Sequence, residues 1–281
     1  MRRSALLLLV TVLLVAAPAP SFAGKRSGGD RNLAVAWAPA ATATVHPGVQ
    51  TFTEGAQCTS NFVFTDAAGA VYIGQSAHCA GTGGATETNG CLAGSLPLGT
   101  TVEIDGASRP GTLVYSSWLT MQGRNEQDSN TCRFNDFALV KVDPADHASV
   151  NPSIPSWGGP VAIGATTAPL DKVYSYGNSG LRFGATFLSP KEGYSLGQQS
   201  GGWNHQVYTV TPGIPGDSGS AFLSTDGAAL GTLSTVALAP FPASNGVSDL
   251  ARELTYAQNF GGLSGLQLAL GTEPFEPGLL P

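Results

Sequence analysis

From about Val49 onward, short apolar runs rich in β-branched and aromatic residues punctuate the chain, each closed by Gly, Pro, Asp or Asn. NFVF (61–64), AVYIG (70–74), TVEI (101–104), GTLVY (111–115) and FALVKV (137–142) make a first set. KVYSY (172–176), ATFL (185–188), QVYTV (206–210), SAFLS (220–224) and ALGTLSTVAL (229–238) make a second. Runs of this kind bounded by turn residues predict strands. Thr225-Asp226-Gly227 predicts a hairpin turn between the last two. In FALVKV, Phe137, Leu139 and Lys141 alternate with Ala138, Val140 and Val142, the period of a strand. Helical spacing occurs in 248–260, where Leu250, Leu254 and Ala257 share a face behind a Ser/Asp cap and Gly261-Gly262 closes the run.

Many strands without alternating helices predict an all-β fold, in barrels rather than a sandwich, with one C-terminal helix. The Pro-rich connection 143–160 divides the strands into two sets, one over about 49–143 and the other over about 161–271. Upstream, 24–48 is rich in Gly, Ala and Pro without a period and reads as a flexible leader or short pro-segment. Residues 1–23 carry Arg2 and Arg3, an apolar run from Ala5 to Ala17, and Ser21-Phe22-Ala23. That is the pattern of a secretory signal peptide, and the run is short for a bilayer span. The domain proper is therefore expected over 49–281, exported and free of the membrane after cleavage.

Charge narrows the partners. The chain has 13 basic and 19 acidic residues, a formal charge of −6, and only 11% charged residues. Losing Arg2 and Arg3 would leave the exported form at −8, which argues against nucleic acid and anionic membranes as partners. Four cysteines, Cys58, Cys79, Cys91 and Cys132, all lie in the first half. In an exported chain an even count reads as two disulfides, with three connectivities open. They lack the close C-x-x-C spacing of a zinc site, so no metal and no cofactor is expected.

TPGIPGDSGSAFLS (211–224) places one acid and one serine between glycines, directly before a strand. Turn residues alone could explain it. A nucleophilic serine would need a base in hydrogen-bond reach, and histidine is the natural one. The chain holds His46, His78, His147 and His205. His78 ends an apolar strand beside Cys79, whereas His46 lies in the leader, His147 in the Pro-rich connection and His205 at a strand start. Asp136 directly precedes the FALVKV strand, where an acid is costly unless paired. All the histidines precede Ser218, which excludes the α/β-hydrolase order, and G-x-S-x-G fails because position 220 is Ser. The subtilisin order would need an acid well before His78, and Asp30 and Asp66 are poor candidates. The order His78, Asp136, Ser218 remains.

SAHC, NDFALV and GDSG resemble, in order and spacing, the three signature segments of the chymotrypsin-like serine peptidases, with a texture closest to the secreted bacterial branch. The resemblance covers roughly 49–260. It implies two six-stranded antiparallel β-barrels with the active site in the cleft between them. His78 and Asp136 would come from the first barrel and Ser218 from the second. It further implies His78 as general base, Asp136 as its orienting acid, Ser218 as nucleophile, and the N–H groups of Gly216 and Ser218 as an oxyanion hole. Ser234, Thr235 and Val236 would bind the substrate backbone as an added strand. Cys58 would pair with Cys79, leaving Cys91 for Cys132. Substrates would be proteins or peptides, met by a single copy of the chain.

Three positions depart from the family pattern. Ser220 stands where most relatives have Gly. Pro212 stands where trypsin-like members carry an acid, and Leu233 where some glutamate-specific bacterial relatives carry histidine. With bulk at Val236, this predicts cleavage after small or medium apolar residues. The apolar N-terminus that activates the animal enzymes has no obvious counterpart, and the leader is too short for a long folding pro-domain. A silent binding module on the same fold and a secreted esterase are the competing readings.

Overall fold

Short strands, some alternating in burial and others buried on both faces, build the first half of the molecule, which we describe from a computed structural model covering residues 35–84, 87–164, 166–236 and 242–278. β1 (Gln50–Thr53) and β2 (Ala56–Thr59) form a hairpin across Glu54-Gly55. β3 (Val63–Thr65) and β4 (Val71–Gln75) follow, and β5 (Thr101–Ile104) buries Val102 and Ile104 while exposing Thr101 and Glu103. β6 (Gly111–Ser116) leads into two short helices, α1 (Ser117–Arg124) and α2 (Ser129–Phe134), before β7 (Ala138–Lys141). Both helices are capped locally: Ser116 Oγ accepts the N–H of Leu119 at 3.5 Å, and Asp128 that of Thr131 at 2.7 Å.

The second half runs through β8 (Pro169–Tyr176), β9 (Pro190–Gln199), β10 (Asn204–Thr209), β11 (Ala221–Leu223), β12 (Ala229–Val236) and β13 (Asn245–Asp249). These six strands close into a barrel in the order β10-β13-β12-β11-β8-β9. α3 (Leu250–Phe260), capped by Asp249, follows, and β14 (Gln267–Leu268) ends the described strands.

The first half departs from a closed six-stranded barrel. It is an eight-stranded curled sheet in the order β14-β3-β4-β7-β6-β5-β1-β2. It stays open because the free edge of β2 is used elsewhere: the N–H of Thr59 donates to the carbonyl of Ser218 at 2.8 Å. The other edge is completed by β14, which pairs with β3 (Gln267 opposite Thr65). β14 follows the barrel strands in the chain but belongs to the first sheet.

The expected strand at 185–188 is instead one 3-10 turn over Thr186–Leu188, with Phe187 exposed. The tail of the expected 229–238 strand and the signal-type segment 1–23 lie outside the described residues. Of the segment read as a leader, 35–48 is built into the first half. Val45 is fully buried and bridges Val150, and the N–H of Ala38 donates to Val150 at 2.9 Å. Val35 and Trp37 pack on the same core, so apolar burial holds what composition alone suggested was loose.

One apolar cluster joins the two halves and α3, with Phe62, Phe64 and Phe137 from the first sheet, Tyr174 and Leu223 from the barrel, and Leu250, Leu254 and Ala257 from the helix. Disulfides link Cys58 to Cys79 and Cys91 to Cys132. Among the described residues no helix is long and apolar enough to cross a membrane.

Candidate active site

A cleft of about 520 Å³ opens between the two halves, lined among others by His78, Asp136, Gly216, Ser218 and 234–236. β4 delivers His78: the strand rolls into a 3-10 turn over Ala77–Ala80, and the Cys58–Cys79 bridge ties that turn to β2. Asp136 sits just ahead of β7, and its carbonyl accepts the N–H of Ala77 at 3.1 Å. Its buried carboxylate collects three donors. Oδ1 accepts the His78 backbone N–H at 2.9 Å, and Oδ2 accepts His78 Nδ1 and Ser234 Oγ, both at 2.6 Å. With Nδ1 donating, Nε2 is the ring nitrogen left without a protein partner. Burial pulls the imidazole pKa down, but the charge and hydrogen bond of Asp136 outweigh it and hold His78 above its ordinary value.

Ser218 is partly exposed on the far wall of the cleft, and its Oγ makes no hydrogen bond to His78 here. Its backbone is gripped from the first half. Besides the Thr59–Ser218 bond, the carbonyl of Gly216 accepts Gln57 Nε2 at 2.9 Å and Thr59 Oγ1 at 2.7 Å. Turned this way, the N–H groups of Gly216 and Ser218 find no acceptor among the described residues. Gly216 has φ +93°, and a Cβ there would lie 2.3 Å from Gln57 Oε1. Gly219 has φ +90°, and its Cβ would meet the Thr59 carbonyl at 2.5 Å. A side chain at Gly219 would run into backbone of the first half, one at Gly216 would have to displace the Gln57 amide, and either would be strained at this φ.

Asp217, between these residues, is fully buried and points away from the cleft into a cation pair. Arg182 binds it bidentately, each N···O distance 2.5 Å, and Lys191 Nζ lies 3.2 Å from Oδ2. The N–H groups of Ser179 and Ile214 also donate to it, at 3.0 and 3.1 Å. Burial raises the Asp217 pKa, yet Arg182 and Lys191 win and hold it below the usual carboxylate range. Lys191, itself fully buried, is brought down to about 8 by burial against the opposing pull of Asp217. The Ser220 hydroxyl donates to the Asp217 carbonyl at 2.7 Å and so braces the loop from within.

Of the expected substrate-binding positions, Ser234 spends its hydroxyl on Asp136. Beyond Leu233, β12 pairs with β13 alone among the described residues, so the edge at 234–236 facing the cleft has no described strand partner. Asn245 braces this region, accepting the N–H of Gly213 at 2.8 Å and donating to the carbonyl of Thr235 at 3.3 Å. The remaining histidines lie apart from the cleft. His46 Nδ1 bonds the Pro47 carbonyl, His147 the Val142 carbonyl, and fully buried His205 bridges Thr167 and Asp249 at 2.8 and 2.9 Å.

Sequence reasoning passed over Arg182, Lys191 and Gln57. A signal for the cations was present: an acid packed between Gly216 and Ser218 must be neutralised if buried, and the chain has only 13 basic residues.

Neither protein-family models nor curated proteins give a match to this chain. Solved structures do. Protease A of Thermobifida fusca superposes with a TM-score of 0.51 at 16% identity, covering 81% of this chain and 99% of that one. Nocardiopsis protease follows at 0.47 and 19%, covering 80% and 98%. The chain has the chymotrypsin-like fold.

Proposed function

We propose that the protein is an exported serine endopeptidase in which His78, Asp136 and Ser218 form the catalytic triad. The observation that carries this reading is the pairing of His78 with Asp136 at the cleft, opposite a serine flanked by two unengaged backbone N–H groups. Ser218 Oγ attacks the scissile carbonyl, and His78 Nε2 takes its proton and returns it to the leaving amine. Asp136 holds the ring tautomer and stabilises the imidazolium. The Ser218–His78 bond closes when substrate fills the cleft, since catalytic hydrogen bonds in ligand-free sites are often long. The oxyanion that develops is met by the N–H groups of Gly216 and Ser218.

The substrate backbone pairs with the open edge at 234–236, and the lining of Ile214, Pro215, Leu233 and Val236 suits small or medium apolar side chains. Two disulfides fit an oxidising compartment, in keeping with the export pattern of 1–23. A neighbour of the same fold is named a protease, which supports the reaction class.

Treatment with an organofluorophosphate is expected to place one adduct on Ser218 and none on Ser218→Ala, which loses kcat on the order of 10⁶-fold. Absence of the adduct would leave a binding module. An adduct with ester turnover but no peptide cleavage would leave an esterase.

A further inference from the structure

Behind the His78–Asp136 pair lies a second carboxyl that the triad does not use. Glu253, in the first turn of α3, is fully buried, and its Oε1 accepts the backbone N–H of Asp136 at 3.1 Å. Its Oε2 has no hydrogen-bond partner. Near it stands the hydroxyl of Tyr115, also buried and without a hydrogen-bond partner among the described residues. The hydroxyl of Thr232, which itself accepts Asn61 Nδ2 at 3.3 Å, lies against the carboxyl.

The charged neighbours are all acids. Asp136 faces Glu253 from the segment before β7, and Asp249 from the cap of its own helix. Tyr115 faces it from β6. No described cation reaches it: Arg252 turns away, donating to the Gly202 carbonyl and lying over Trp203. The Asp136 N–H and the Thr232 hydroxyl favour a carboxylate here, but burial and the neighbouring Asp136 anion outweigh them, and no described cation offsets the charge.

We propose that Glu253 is a positioning residue for the His78–Asp136 pair, working as an uncharged carboxylic acid. Oε1 gives the buried Asp136 N–H its acceptor, and the proton on the acid keeps Asp136 the sole negative charge beside His78. Burial and the Asp136 charge both hold the Glu253 proton on, far above the usual carboxylate range. The role assigned to Asp136 rests on the peptidase reading; the protonation of Glu253 does not.

Two measurements on the resting full-length protein test this without turnover. Infrared spectra near pH 7 should contain a protonated-carboxyl C=O band that disappears in Glu253→Gln. By NMR titration, His78 in Glu253→Gln should keep its native pKa, because an amide replaces an uncharged acid and keeps the acceptor. In Glu253→Ala the Asp136 N–H loses its acceptor, His78 should titrate lower, and kcat should fall by up to about 100-fold with KM held. If Glu253→Ala does not fold, the Gln variant and the infrared band still decide. No such band, or a His78 pKa that drops in Glu253→Gln, would overturn the uncharged acid. An Ala variant with native His78 titration and kcat would overturn the positioning role. If Ser218 takes no adduct while the band is lost on Glu253→Gln, the peptidase reading fails and the protonated acid stands.

Discussion

The two halves of the molecule hold their site residues by different physics. In the first sheet all four cysteines are paired, and His78 is anchored within one residue of a disulfide. The closed barrel has no cysteine. Its site loop is held by charge instead, with buried Asp217 clamped by Arg182 and Lys191. The His78 side of the cleft is thus fastened covalently and the Ser218 side ionically. Such a protein should respond to reductant through one wall and to loss of a buried charge through the other.

That contrast can be broken at several points. On the proposed peptidase reading the largest effect falls on the His78–Asp136 pair: Asp136→Asn should cut kcat on the order of 10⁴-fold while leaving the fold intact. Next, Arg182→Met removes one partner of a fully buried acid. Urea unfolding should register about 3–5 kcal/mol, toward the lower end because Lys191 remains. If the variant matches the native protein, the ionic half of the contrast is wrong. Converting both Cys58 and Cys79 to Ser should cost about 3 kcal/mol for a loop of this size, with the damage centred on His78.

The smallest effect is a shift in pH profile. Activity should fall on the acid side through a midpoint above the ordinary histidine value of about 6.5, because the catalytic form is neutral and Asp136 favours the charged one. In Asp136→Asn that residual limb should move downward. A limb that stays put would mean that the group titrating is not His78.

Most strands of the first sheet announce themselves because their buried face is Val, Ile, Leu and Phe. β9 does not. The inward positions of PKEGYSLGQQ are Lys191, Gly193, Ser195 and Gly197, so the longest strand of the described chain hides its alternation in polar and small residues. Lys191 sits on that face because Asp217 needs it, a pairing between distant residues that no local window contains. The helices α1 and α2 are too short for a periodic signal and declare only their caps, Ser116 and Asp128. The exposed ring of Phe187 gave the opposite error, apolar character without burial. His78, Asp136 and Ser218 were legible as candidates because each lies in a short segment with its own composition. Arg182 and Glu253 were not, because what singles them out is what they touch.

The pairing of β14 with β3 has a consequence for how the chain must fold. Gln267 and Thr65 meet across 202 residues, so the edge of β3 stays bare until nearly the whole chain has emerged and found its way back. Closure over so long a loop is slow, and an unpaired sheet edge invites the wrong partner in the meantime. Cutting the chain in the 143–160 connection should therefore yield two fragments that are each unsound, the first lacking its final strand and the second carrying it unused.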